Sequence, residues 1–363
     1  MMRMSLSFVF VLALSLSPLA AAERFGLKEG TPDLQAAGPL AFGPPGILFV
    51  GDPQQAAIFA LDTGDTTGNP SQAKPEVKGI KEQLAALLGV TAADVLINDL
   101  AVNPASGNVY LSVSRGKGPD AAAVLVKVDD AGKLSEVSLK KIPFAKTSLA
   151  NAPAPGGEGR NNRRVQSITD LAFMDGRLFV AGLSNEEFAS KLRSISFPFA
   201  AADSGASIEI FHGAHGAIET RSPIRTFLMY QIEGQPHLLA AYTCTPLVKL
   251  KVADLQSGAK VKGTTIAELG NRNSPLDMIA YEKDGKNYLL IANTARGVMK
   301  VGTEKLATVD AITAPVKEGT AGLTYETIAD WKGVTQLDLL NRTTAVLLVE
   351  DAGTANLVTM ALP

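Results

Sequence analysis

The side chains best suited to chemistry crowd into residues 207–301 of this 363-residue chain. All three histidines (His212, His215, His237) and the single cysteine (Cys244) lie there, with Arg221, Arg225, Arg272 and Arg296. Two imidazoles and a thiol are ligand types for a soft or borderline metal such as copper or zinc. Residues three apart on a strand face opposite ways, so His212 and His215 can share a site only if the chain turns at Gly213. Cys244 has two other readings. It is a small buried apolar residue, or a nucleophile with His215 as its base. The arginines offer planar, two-pronged donors to carboxylate or phosphate groups.

Carboxylates form a second set. They emerge when recurrent apolar runs are aligned. One run type opens each of six units: GPLAF (38–42), INDLAV (97–102), ITDLAF (168–173), PIRTFL (223–228), PLDMIA (275–280) and VTQLDL (334–339). The alignment puts Pro39, Asp99, Asp170, Arg225, Asp277 and Gln336 at one equivalent position. A position that recurs in every unit should point the same way. Three aspartates and one arginine are therefore expected in a ring. Three like charges raise one another's pKa unless a cation or Arg225 compensates. The alternative is that each aspartate caps backbone groups locally. Hard oxygen ligands also end the second runs, Asn293 among them, and suit Ca²⁺.

The elements that position these groups are strands. Each opening run is followed by a turn, a second run such as ILFVGD (47–52) or YLLIAN (288–293), and a third such as SKLRSIS (190–196). The intervening NPASGN, MDGR and EKDGKN segments are hairpin chemistry. Fourth runs are visible at residues 133–139, 207–212 and 262–269. Helical periodicity is confined to Ile80–Leu88, stopped by Gly89. Six units of up to four antiparallel strands imply an all-β, six-bladed β-propeller with one short helix in an inter-blade link. A seven-bladed ring, a sandwich pair and an open solenoid are the alternatives. The chain ends after the last unit's third strand, so residues 31–37 are expected to supply the fourth and close the ring.

The segments INDLAVNPASGNVYLSVS and GPLAFGPPGILFVGDPQQAAIFALD resemble the strand-turn-strand signature of NHL, YVTN and SMP-30/gluconolactonase-type propellers. The resemblance covers most of the chain as a fold-level pattern. It implies a fold that hosts lactonases, lyases, ligand binders and interaction platforms, so function must come from the site. The SMP-30 type implies a divalent metal, often Ca²⁺, at the channel mouth.

Composition narrows the classes. Arg3, an apolar run and Ala20-Ala21-Ala22 read as a secretory signal peptide over residues 1–22, too short in its apolar core to span a bilayer. Residues 23–363 are then one exported propeller domain, periplasmic or extracellular, beginning at Glu23. A formal net charge of −2 with interspersed signs gives no nucleic-acid footprint. A single cysteine excludes an internal disulfide. No CxxCH, Walker loop, HExxH or GxSxG is present, so neither haem nor a nucleotide is expected.

The functional expectation is a monomeric, soluble propeller without a membrane span. Its polar, cation-assisted site at the channel mouth binds a small molecule or protein, with an anionic group favoured. The alternative is a metal-dependent hydrolase or lactonase of the SMP-30 type. The expected ligand-binding residues are His215, Glu219, Arg221, Arg225, Cys244, Asn271 and Arg272, in one pocket. The expected Ca²⁺ ligands are Asp99, Asp170, Asp277 and Asn293. No catalytic residue is assigned.

Overall fold

The structure is a computed structural model that describes residues 25–156, 162–200, 203–317 and 319–363. The signal segment expected at residues 1–22 lies outside these. The described chain forms a six-bladed β-propeller. The blades are named A to F in the chain order of their innermost strands: Leu40–Phe42, Val95–Val102, Asp170–Met174, Ile224–Ile232, Pro275–Lys283 and Val334–Leu339.

Local chemistry builds each blade. Asp175-Gly176, Glu233-Gly234 and Asp284-Gly285 join first to second strands in blades C, D and E. Both residues of each pair have positive φ, for example 50° and 73° at Asp175 and Gly176. That is the two-residue turn whose twist matches paired strands. The central strands Ile47–Asp52 and Ala57–Asp62 are buried at every position. A sheet sandwiched between two others has no solvent face, so its middle strands lose the usual alternation.

The blades do not follow one another around the ring in chain order. Apolar clusters join A to C, C to D, D to E, E to F, F to B and B to A. Blade B therefore sits between F and A. After completing B with Leu134–Glu136, the chain returns to A, where Ile142–Ser148 pairs with Ala57–Asp62 as the fourth strand. Lys28–Gly30 adds a fifth strand at that edge.

Ring closure also differs from the sequence expectation. Residues 31–37 do not complete blade F. Val77 does, exchanging two backbone hydrogen bonds of 2.9 Å with Leu357 of that blade's third strand. The link from A to B thus fastens F before it enters helix α1 (Ile80–Leu88). Ile80, Leu84, Ala85 and Leu88 make the buried face of α1, and Gly89 ends it in the left-handed conformation at φ 68°. It is the one α-helix among the described residues.

Candidate functional site

First strands begin on the channel-mouth face, and second strands end there. Three groups of functional side chains are found on or below that face, where the sequence anticipated one pocket and one ring.

The ring lies along the axis. A cavity of about 340 Å³ is lined by Asp99, Asp170, Asp277 and Asp338, with Phe173 and Phe227. Each carboxylate ties its own inner strand to the next blade's. Asp99 Oδ2 accepts the Leu40 N–H (2.7 Å) and Asp170 Oδ2 that of Phe227 (2.8 Å). Asp277 Oδ2 accepts from Leu337 (2.8 Å) and Asp338 Oδ2 from Val102 (2.7 Å). In the last three the other oxygen accepts the N–H of the following residue at 2.7 Å. Gln336, its amide nitrogen turned to the axis, donates to Asp277 Oδ2 at 2.9 Å and Asp99 Oδ1 at 3.0 Å.

Burial pushes Asp170 and Asp338 up to about 6, against the donated backbone hydrogen bonds. Burial, with the charges of Asp170 and Asp338 adding to it, pushes Asp99 up to about 8. Burial and then the Asp99 charge hold Asp277 well above the usual carboxylate range. Among the described residues, no three of these carboxylates come within 4.8 Å of one another. Asn293, the fourth expected calcium ligand, is buried with its amide engaged. Its Oδ1 accepts from Asn273 Nδ2 (3.0 Å), and its Nδ2 donates to the Ile291 carbonyl (2.8 Å).

Arg225 does not belong to the ring. Asp99, Asp277 and Gln336 each follow a bulged residue, namely Asn98, Leu276 and Thr335. In blade D the bulged residue is Arg225 itself, so Thr226 takes the ring position and hydrogen-bonds to Asp170. Aligning the buried residues that precede each bulge (Ile97, Ile224, Pro275, Val334) restores the register. Asp338, two residues beyond Gln336 on the same strand face, is the ring member the alignment missed.

Arg225 instead reaches a second cavity at the mouth, of about 490 Å³. Asn98, Ser114, Thr169, Leu96 and Val165 share its lining. Leu96 and Val165 are large apolar side chains left 56% and 47% exposed. Arg225 is half-buried, and its Nε is buried without a hydrogen-bond partner. Burial lowers its pKa, opposed by the charge of Asp170. No ion pair within 4 Å joins it to a described carboxylate.

The third group joins His215, Glu219 and Cys244 with His212, between blades C and D. Strand Ala206–His212 ends at His212, and the chain turns through Gly213. The His215 N–H donates to the His212 carbonyl at 3.2 Å. The turn stacks the two imidazoles with centroids 3.8 Å apart. One ring nitrogen of each and Cys244 Sγ lie within 4.8 Å of one another. Glu219 Oε1 is 2.5 Å from His215 Nδ1 and 3.0 Å from His212 Nδ1, and Ser222 Oγ donates to Oε2. Burial raises the Glu219 pKa, but its polar contacts with His212, His215 and Ser222 and the His212 charge outweigh it and bring it to about 2. Cys244 and Thr245 both have positive φ, 64° and 62°, in the turn after blade D's second strand.

The remaining expected residues stay apart from these groups. Arg221 is exposed, its Nε 3.4 Å from the Glu187 carbonyl. Asn271 and Arg272 occupy an exposed turn, where the Asn271 carbonyl accepts from Arg296. His237, at 7% exposure, sits on blade D's second strand with Nδ1 2.9 Å from the Gln235 carbonyl.

No family model matches the chain, so the NHL, YVTN or SMP-30 type has no such support, and no curated protein sequence matches it. Solved structures similar to it include a PQQ-bound aldose sugar dehydrogenase from Streptomyces coelicolor. That match has 10% identity and TM-score 0.35, covering 92% of this chain and 96% of the other. A Thermus thermophilus protein described as a putative oxidoreductase (glucose dehydrogenase) matches at 11% identity and TM-score 0.37, over 92% and 99%. The extracellular region of plexin A4 matches at 10% and 0.42, over 93% of this chain and 47% of plexin. Such distant likenesses carry no argument about chemistry.

Proposed function

We propose that the protein is a binding propeller whose channel-mouth cavity takes a small anionic molecule with an apolar portion. One observation carries this reading: the Arg225 guanidinium, half-buried in the cavity wall with its Nε unpartnered. A donor removed from water without a partner costs free energy, and more so when it is charged. A carboxylate or phosphate ester recovers that cost through two parallel N–H···O bonds, with a geometry that lysine lacks.

The surroundings support the same reading. A volume of about 490 Å³ suits a small molecule. Leu96 and Val165 offer apolar surface beside the charge. Asn98 Nδ2 is held by the Ala37 carbonyl and Ser114 Oγ, which fixes a polar edge facing the arginine's cavity. Arg221 and Arg272 lie outside this pocket, so the anion contact falls to Arg225. In this reading the protein works outside the cytoplasm, on the support of Arg3, the apolar run and the alanine triplet before Glu23. Mass spectrometry of exported protein, with Glu23 as first residue, tests that part.

Titration calorimetry with octanoate as the probe tests the site. Wild-type protein should bind it, and Arg225→Gln should weaken binding by roughly 10–100-fold, as loss of a charged hydrogen bond implies. Equal binding by both proteins would overturn the reading.

A further inference from the structure

We infer that His212, His215 and Cys244 form a site for a borderline-to-soft transition metal ion, Zn²⁺ or Cu⁺, independent of the channel-mouth cavity. The trio brings two imidazole nitrogens and one thiol sulfur within 4.8 Å of one another, from two blades. Among the described residues it is the one group of three histidine, cysteine or carboxylate side chains that converges this closely. A thiolate with two imidazoles selects zinc or copper over the hard cations that prefer oxygen.

The second observation is His212 itself. Its side chain is 2% exposed, and neither ring nitrogen has a hydrogen-bond partner. A buried imidazole nitrogen without a partner is costly, and a metal ion satisfies it. Glu219 supports the same assignment. Its Oε1 meets the Nδ1 edge of both rings, at 3.0 Å and 2.5 Å. At His215 the carboxylate on Nδ1 fixes the tautomer that leaves Nε2 as the ligand, and makes it a better one. Ser222 in turn holds Glu219.

The backbone is built around the same spot. The turn at residues 213–216 is clamped from outside, where the Val316 N–H donates to the Gly213 carbonyl (2.8 Å). Glu268 holds it from inside, its Oε1 accepting the Gly213 N–H (2.6 Å). Glu268 Oε2 is buried and unpartnered, a second unsatisfied polar atom beside the turn. The His215 side chain, 51% exposed, opens the site to solvent and gives the ion its entry. Binding displaces the Cys244 thiol proton to water.

Cobalt(II) added to metal-free, full-length protein tests the site, because cobalt bound by a thiolate gains a sulfur-to-metal charge-transfer absorption. Wild-type protein should bind one equivalent with that band, and Zn²⁺ should bleach it. Cys244→Ser should abolish the band. Glu219→Gln should keep it while weakening affinity by roughly 10–100-fold, as loss of an outer-shell partner does. His215→Gln, at an exposed position, should weaken binding with an unchanged thermal melt, which covers the case of a poorly folded cysteine variant. Cobalt uptake by wild-type protein without the band, or a band that survives in Cys244→Ser, would overturn the assignment.

Discussion

Asp338 Oδ2 accepts the backbone N–H of Val102 at 2.7 Å, although the two residues are 236 positions apart. Blade F is thereby tied to blade B, the second blade in the chain and the last in the ring. The same bond type runs from B to A, from C to D and from E to F, always toward the next blade in one rotational sense. Asp338→Ala leaves a Val102 N–H without its partner and should cost ~1–3 kcal/mol. Asp338→Asn keeps an acceptor and should cost less. Urea denaturation of the two variants checks the order.

The ring acids also set a pH dependence. Their folded-state pKa values lie above those of the unfolded chain, so protons favour the native state. The stability they contribute is fully present below about pH 4, the unfolded aspartate value. It is lost as pH rises through about 6 for Asp170 and Asp338 and about 8 for Asp99. The melting temperature should therefore fall between about pH 5 and about pH 8.5. Asp99→Asn cannot ionise, yet still accepts the Leu40 N–H, and should flatten the upper part of that fall. A wild-type melt that rises over this interval would contradict the assignment.

At the channel mouth, charge and geometry can be separated. Arg225→Lys keeps the charge but loses the two-pronged donor, so its octanoate affinity should fall between wild type and Arg225→Gln. Leu96→Ser should weaken octanoate while leaving acetate unchanged, because only the longer chain reaches the apolar edge. Calorimetry on both ligands reads the two effects independently.

Closure of the ring rests on few bonds. Val77→Pro removes the N–H that donates to Leu357 and should destabilise the protein by ~1–3 kcal/mol. Val77→Thr keeps the N–H and serves as the control. Thermal melts compare the two, and equal melting temperatures would show that blade F is closed elsewhere.

What the sequence determined by itself was local. Asp-Gly turns, strand triplets and the short helix at Ile80–Leu88 were legible because turn chemistry and side-chain alternation act over a few neighbouring residues. The need for a turn at Gly213 before His212 and His215 could meet was legible for the same reason. The tertiary structure decided what depends on distant chain segments. The order of the blades is one such outcome, since any pair of apolar sheet faces satisfies the same pattern. The fourth strands of A and F are others, because a strand edge accepts whichever backbone reaches it. Arg225 fell outside the acid ring because it is the bulged residue of its strand, one position before the residue that faces the axis, and one position reverses a side chain's direction. Cys244 met the two histidines only because blades C and D pack side by side. That proximity comes from burying Ile208, Ile210, Leu238 and Tyr242 between two sheets, a physical cause unrelated to the chemistry it brings together.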